Sequence, residues 1–243
     1  MQKQHFFLIT LISFLGFTSC SSEHKADKIV NQSIAFYGMD KLDNKTMNFD
    51  FRQYHYQIQL KKGDYFYERT FTDDSLGKVK DQLSNHGFVR EVNGLVVPQT
   101  EKDSLKYSQS VNSVAYFVLL PLKLNDPAVE KDYLKSVMVN GKSYDEIKVK
   151  FKKSQGGDHF DDTFYFWFDQ VDHSMDFFAY SEGGIRFRSV RTINKDGEIK
   201  IQDYDNLTSK PGETLPLEDY GKLFEEDRLI KLSEVAINNL KVK

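Results

Sequence analysis

Tyr54-His55-Tyr56-Gln57-Ile58-Gln59-Leu60-Lys61-Lys62-Gly63-Asp64-Tyr65-Phe66-Tyr67-Glu68-Arg69-Thr70-Phe71 decides the fold. Apolar and polar residues alternate with a period of two on either side of Lys62-Gly63, which is the pattern of two strands joined by a tight turn. Working outward, Phe49 and Phe51 have the opposite parity to Tyr54, so a bulge is expected near Arg52 and Gln53. Asn93-Gly94 predicts a second hairpin between Phe88–Val92 and Leu95–Val97. Further strands are expected at Val137–Val139, Ile147–Phe151, Thr163–Phe168, Met175–Tyr180, Ile185–Ile193, Ile199–Tyr204 and Leu232–Val242. The turns between them fall at Asn140-Gly141, Glu182-Gly183-Gly184 and Asn194-Lys195-Asp196-Gly197.

Helical periodicity is confined to a few places. Ala26, Ile29, Val30, Ser33, Ile34 and Tyr37 form one stripe, closed by Gly38 at the position of a C-terminal cap. Glu101–Leu120 carries a second helix ended by Pro121, with shorter ones expected at Pro127–Leu134 and Leu217–Arg228. Strands joined by hairpins without βαβ alternation mean an antiparallel meander. The expected fold is mainly β (α+β): a large curved antiparallel sheet, or unclosed β-barrel, of about eleven strands wrapped over a few helices on one face.

The 243 residues fit one domain, and 33 basic against 36 acidic residues give a net charge of −3. That balance argues against nucleic acid, whose phosphates need a basic surface. Aromatic residues reach 14%, as 20 Phe, 13 Tyr and 1 Trp.

Residues 1–19 read as a lipoprotein signal peptide: Lys3, the uncharged run Phe6 to Phe17, then Thr18 and Ser19 before the only cysteine, Cys20. The apolar run is too short to span a bilayer. Phe17-Thr18-Ser19-Cys20 resembles a bacterial lipobox, with Phe17 and Ser19 where that motif usually has Leu and Gly or Ala. The resemblance implies that Cys20 becomes a lipidated N-terminus carrying palmitate-type acyl chains, enough for stable anchoring. Residues 20–25 are then a tether and 26–243 the single domain. The expected location is the outer membrane, facing the periplasm.

Ala35-Phe36-Tyr37-Gly38, Tyr116-Phe117-Val118-Leu119-Leu120-Pro121-Leu122 before Asn125-Asp126, Val139-Asn140-Gly141-Lys142-Ser143-Tyr144, Phe166-Trp167-Phe168-Asp169 and Asp203-Tyr204-Asp205-Asn206 resemble an uncharacterised family of Bacteroidota envelope lipoproteins. That family in turn looks like the Lol-type outer-membrane lipoprotein carriers and receptors, whose half-barrel holds acyl chains between sheet and helices. The resemblance implies that fold and an acyl-chain ligand, and it carries over no functional residue.

Catalytic motifs are not found: no G-x-S-x-G, H-E-x-x-H or G-x-G-x-x-G follows the needed elements. Gly141-Lys142-Ser143 reads as a hairpin turn, because Ser136 stands where a P-loop needs its first glycine. Gly157-Asp158-His159-Phe160-Asp161-Asp162 offers hard oxygen ligands and an imidazole, but without the spacing of a metal loop. Asp74-Ser75-Leu76 and Asp103-Ser104-Leu105 resemble O-glycosylation acceptors. No enzyme activity, cofactor or metal is expected.

The aromatic strands are the informative feature. Phe164, Phe166 and Phe168 share one face of their strand, and Tyr165 and Trp167 take the other. A strand with one wet face would alternate with polar residues, so both faces must be covered. Two readings stay open. Either an apolar hollow lined by Tyr56, Ile58, Tyr67, Val149, Phe151, Phe166, Phe187, Ile199 and Ile201 accepts a lipid or acyl chain, or the helices fill that space and the protein is a non-catalytic scaffold.

Overall fold

A computed structural model describes residues 18–152, 162–181, 184–213 and 215–243, with first-helix side chains from His24 onward. Residues 1–17 of the leader, the Cys20 side chain, residues 157–161 of the acidic loop and the Glu182-Gly183 turn lie outside the described residues.

The first helix, α1, runs Thr18–Tyr37, so its backbone begins ahead of the expected start at Ala26. Its apolar stripe is buried as the spacing predicts: Ala26, Val30, Ser33 and Tyr37 are wholly covered. Gly38 ends it with φ +66°, and a Cβ there would meet the Glu198 carbonyl oxygen at 2.4 Å. Only glycine fits that turn and that close approach together.

Among the described residues fourteen strands follow, in two seven-stranded antiparallel sheets that do not close. The first sheet is a meander: β1 (Lys45–Phe51), β2 (Tyr54–Lys61), β3 (Asp64–Asp73), β4 (Gly77–Ser84), β5 (Gly87–Val92) and β6 (Leu95–Val96). The second contains β7 (Val129–Val139), β8 (Lys142–Phe151), β9 (Phe164–Asp169), β10 (Met175–Tyr180), β11 (Arg186–Asp196), β12 (Ile199–Thr208) and β13 (Ile230–Val235). β14 (Ile237–Val242) returns to the first sheet beside β1. The helix α2 (Glu101–Val118) connects the sheets, its first turn capped by Thr100, whose hydroxyl oxygen accepts from the Asp103 N–H at 3.1 Å.

Several expectations are corrected. The parity switch at Arg52-Gln53 is a two-residue hairpin turn, not a bulge: Phe51 pairs with Tyr54, and Arg52 has φ +55°. Pro127–Leu134 is not helical. Val129 and Lys131 are buried while Glu130 and Asp132 are exposed, which is strand alternation, and the segment enters β7. β4 was missed because only Val79 and Leu83 mark its inner face, with Asp81 between them. The expected final strand breaks at Ala236 into β13 and β14, which belong to different sheets. With β4 added and the last strand split in two, the described residues hold fourteen strands against about eleven expected.

The main core lies between the two sheets and the helices α1 and α2. α3 (Tyr220–Glu225) does not join them: it packs on the far face of the second sheet, where Gly221 sits 3.2 Å from the Trp167 ring through an ideal Cβ position. Both faces of β9 are therefore covered and all six of its residues are buried. Phe166 stacks on Phe178 at 5.6 Å in the main core, while Trp167 meets Phe187 at 5.7 Å in the outer one.

Candidate functional site: a cleft beneath the second helix

Where α2 crosses the second sheet, near the seam between β13 and β14, a cleft of about 400 Å³ opens. It falls within the range of roughly 300–1,000 Å³ typical of small-molecule sites. α2 supplies Val114, Phe117 and Val118, and β10 supplies Phe178 and Tyr180. Phe117 stacks on Phe178 at 5.8 Å and on Tyr180 at 5.5 Å, so this wall is aromatic. The ends of β13 and β14 close the seam with Val235 and Ile237.

The β11–β12 wall is polar. Arg188, Gln202, Tyr204 and Asn206 all line it, and Arg188 lies directly across from Asn206 in the strand register. The Arg188 guanidinium donates to the Tyr180 hydroxyl at 2.8 Å, yet its Nε is buried without a partner, as is Oδ1 of Asn206. Such orphans are uncommon in native interiors, and each costs free energy until something satisfies it. Ser110, Ser113 and Ser233 add hydroxyls along the rim, and Arg52 adds a second cation.

The floor is tied to α1. Gln202 donates to the Tyr37 hydroxyl and, at 2.7 Å, to the Met175 carbonyl, and it accepts from Tyr204. Burial pushes the Tyr204 phenol well above its ordinary value, with Arg188 pulling the other way, so Tyr204 remains a neutral donor.

The first sheet holds α2 with charge. Arg69, Asp81 and Arg90 lie in one row across β3, β4 and β5. Asp81, fully buried, accepts from Arg69 at 2.6 Å and from Arg90 at 2.6 Å. Arg69 reaches on to the Ser110 hydroxyl of α2 at 2.8 Å, and Arg90 sits 3.4 Å over the Tyr107 ring.

Of the residues nominated from sequence, Tyr56, Ile58, Tyr67, Val149, Phe166, Ile199 and Ile201 are buried in the main core, with Phe151 packed against it. None lines the cleft. Phe187 lies on the opposite face of the sheet, with Trp167 and α3. The inward parity on β11 and β12 belongs to Arg188, Gln202, Tyr204 and Asn206, which an apolar criterion passes over. Among the described residues no group of three or more His, Cys, Asp or Glu is placed to hold a metal, and no helix is long and apolar enough to cross a membrane.

Known proteins place the fold. A DUF1329-family protein from Desulfovibrio piger is similar over 89% of this chain and 92% of its own, with a TM-score of 0.51 and 8% identity. A LolA-superfamily protein from Nitrosomonas europaea aligns over 89% and 92% with a TM-score of 0.47 and 7% identity. An outer membrane lipoprotein-sorting protein domain from Vibrio parahaemolyticus aligns over 90% and 93% with a TM-score of 0.46 and 9% identity. No curated protein matches the sequence. Residues 3–237 match the family described as "Family of unknown function (DUF6503)", and the chain belongs to that family.

Proposed function

We propose that the protein is a non-catalytic envelope lipoprotein that binds a lipid or acyl chain in the cleft beneath α2. Cys20 carries its acyl tether, and the body faces the periplasm from the outer membrane. The observation that carries this reading is the cleft itself: about 400 Å³ open beside the apolar wall of Val114, Phe117 and Phe178, whereas two other clefts of similar volume are lined mainly by charged and polar residues. An apolar chain entering it would gain about 25 cal/mol per Å² of buried surface. The lipobox-like leader supports the address. The descriptions of the LolA-superfamily and lipoprotein-sorting proteins are compatible with it and are not what it rests on.

A second reading, a scaffold with a filled core, is favoured by one observation. Tyr56, Ile58, Tyr67, Val149 and Phe166 are each at most 2% exposed and leave no hollow among themselves. The two readings are separated by Val114→Trp, which puts an indole into the cleft from its helical wall. Fluorescence titration with 1-aminoanthracene, a neutral apolar probe, should show saturable binding to the wild type and at least a ten-fold loss in the variant, with unchanged thermal unfolding. Equal affinity in both proteins, or no binding to either, overturns the cleft as the site.

A further inference from the structure

The cleft lining has a charge sign that its apolar wall does not require. Two arginines, Arg52 and Arg188, line it and no carboxylate does, in a chain whose net charge is −3. Among the described residues neither arginine forms an ion pair; the nearest partners of Arg188 are uncharged, namely the Tyr180 hydroxyl and the rings of Phe117 and Tyr180, 5.9 and 5.8 Å from its guanidinium carbon. The two buried arginines, Arg69 and Arg90, are both neutralised by Asp81. A partly buried cation without a counter-ion is less favourable than a paired one, and an anionic ligand group would supply the partner.

We propose that Arg188 reads an anionic head, so that the ligand of this cleft is an acidic single-chain amphiphile. This rests on the acyl-chain reading above and adds a head to the chain. The head, a carboxylate or a phosphate, takes the guanidinium of Arg188, which lines the cleft without a carboxylate partner and lies across the strand pair from Asn206. The chain lies along Val114, Phe117 and Phe178 on the opposite wall. The planar guanidinium fork suits either head, and a shared charge-assisted hydrogen bond is the recognition chemistry.

The test uses the purified protein, stripped of lipid, and two fluorescent probes of one chain length: cis-parinaric acid and cis-parinaryl alcohol. The wild type should bind the acid at least ten-fold more tightly than the alcohol. Arg188→Met should collapse that ratio to about one, while Arg188→Lys, which keeps the charge, should retain part of it. Should the Met variant fail to fold, the wild-type ratio and the Lys variant still decide. Equal binding of acid and alcohol by the wild type overturns head recognition and leaves the acyl-chain reading standing. Failure of both probes to bind overturns that reading as well. Lysophosphatidic acid and inorganic phosphate, used as competitors, separate the head sources: displacement by the lysolipid alone supports an amphiphile, and equal displacement by phosphate overturns it in favour of a free-anion site.

Discussion

Arg188 and Asn206 lie opposite one another across β11 and β12, and each has a buried side-chain atom without a hydrogen-bond partner. Glu146 is a second residue held in an unfavourable state. Its side chain is 3% exposed, one oxygen lacks a partner, and Lys135 approaches only to 3.8 Å. Burial raises its carboxyl above the ordinary value; Lys135 and the Trp167 indole N–H oppose the shift, and Glu218 adds to it. A raised carboxyl is fully compatible with folding below its unfolded value near 4.5, and stability is lost as pH rises through the folded value. Glu146→Gln should therefore unfold like wild type near pH 4 and melt about 2–4 °C higher at pH 7–8, as a gain of about 1 kcal/mol gives in a chain of this size. Thermal unfolding across pH 4–8 checks this, and a variant less stable than wild type at pH 8 contradicts it. None of these residues was nominated from sequence. A polar side chain in a strand reads as solvent-facing, and its inward parity emerges only once the register is known.

At the scale of elements, α2 is the part of the roof that differs from the rest. Its C-terminal half buries Val111, Ala115 and Val118, whereas its N-terminal half leaves Leu105 52% exposed and is fastened through the Arg69–Asp81–Arg90 row. Removing one member of a buried charge network strands the others. Asp81→Asn should cost about 3–5 kcal/mol in urea denaturation and speed amide exchange along Tyr107–Val111. A loss under about 1 kcal/mol would place the hold on α2 elsewhere. Both long helices were legible, since Ala26–Tyr37 and Leu105–Leu119 repeat at helical spacing. The hairpins at Lys62-Gly63, Asn93-Gly94 and Asn140-Gly141 were legible too, because positive φ at both positions demands those residue types. β4 and the N-terminal part of β7 were not, because Asp81 and Lys131 occupy inner-face positions where alternation alone expects apolar residues.

For the whole molecule, the sheets are joined along one seam, where the chain passes from β13 to β14 through the single residue Ala236. Asp203 accepts from the Ile237 N–H at 2.8 Å there, and Asp196 from Val242 at 2.7 Å. The seam brings Ile237 and Val235 to the cleft. A mainly β, antiparallel curved sheet over helices could be read from periodicity, and the unclosed barrel was implied by the family resemblance. That the far face of the second sheet is sealed by α3 could not, since nothing in Leu217–Arg228 says which face it will cover. The cleft with the aromatic wall therefore opens at the seam and not among the residues nominated from their apolar character, which are buried in the two cores. The direct test of that account is native mass spectrometry of the Cys20→Ala protein purified from a bacterial envelope, where no covalent acyl group can contribute. The account predicts a mass in excess of the bare chain by one acyl-bearing lipid that organic solvent releases. A mass equal to the bare chain, with no extractable lipid, contradicts it.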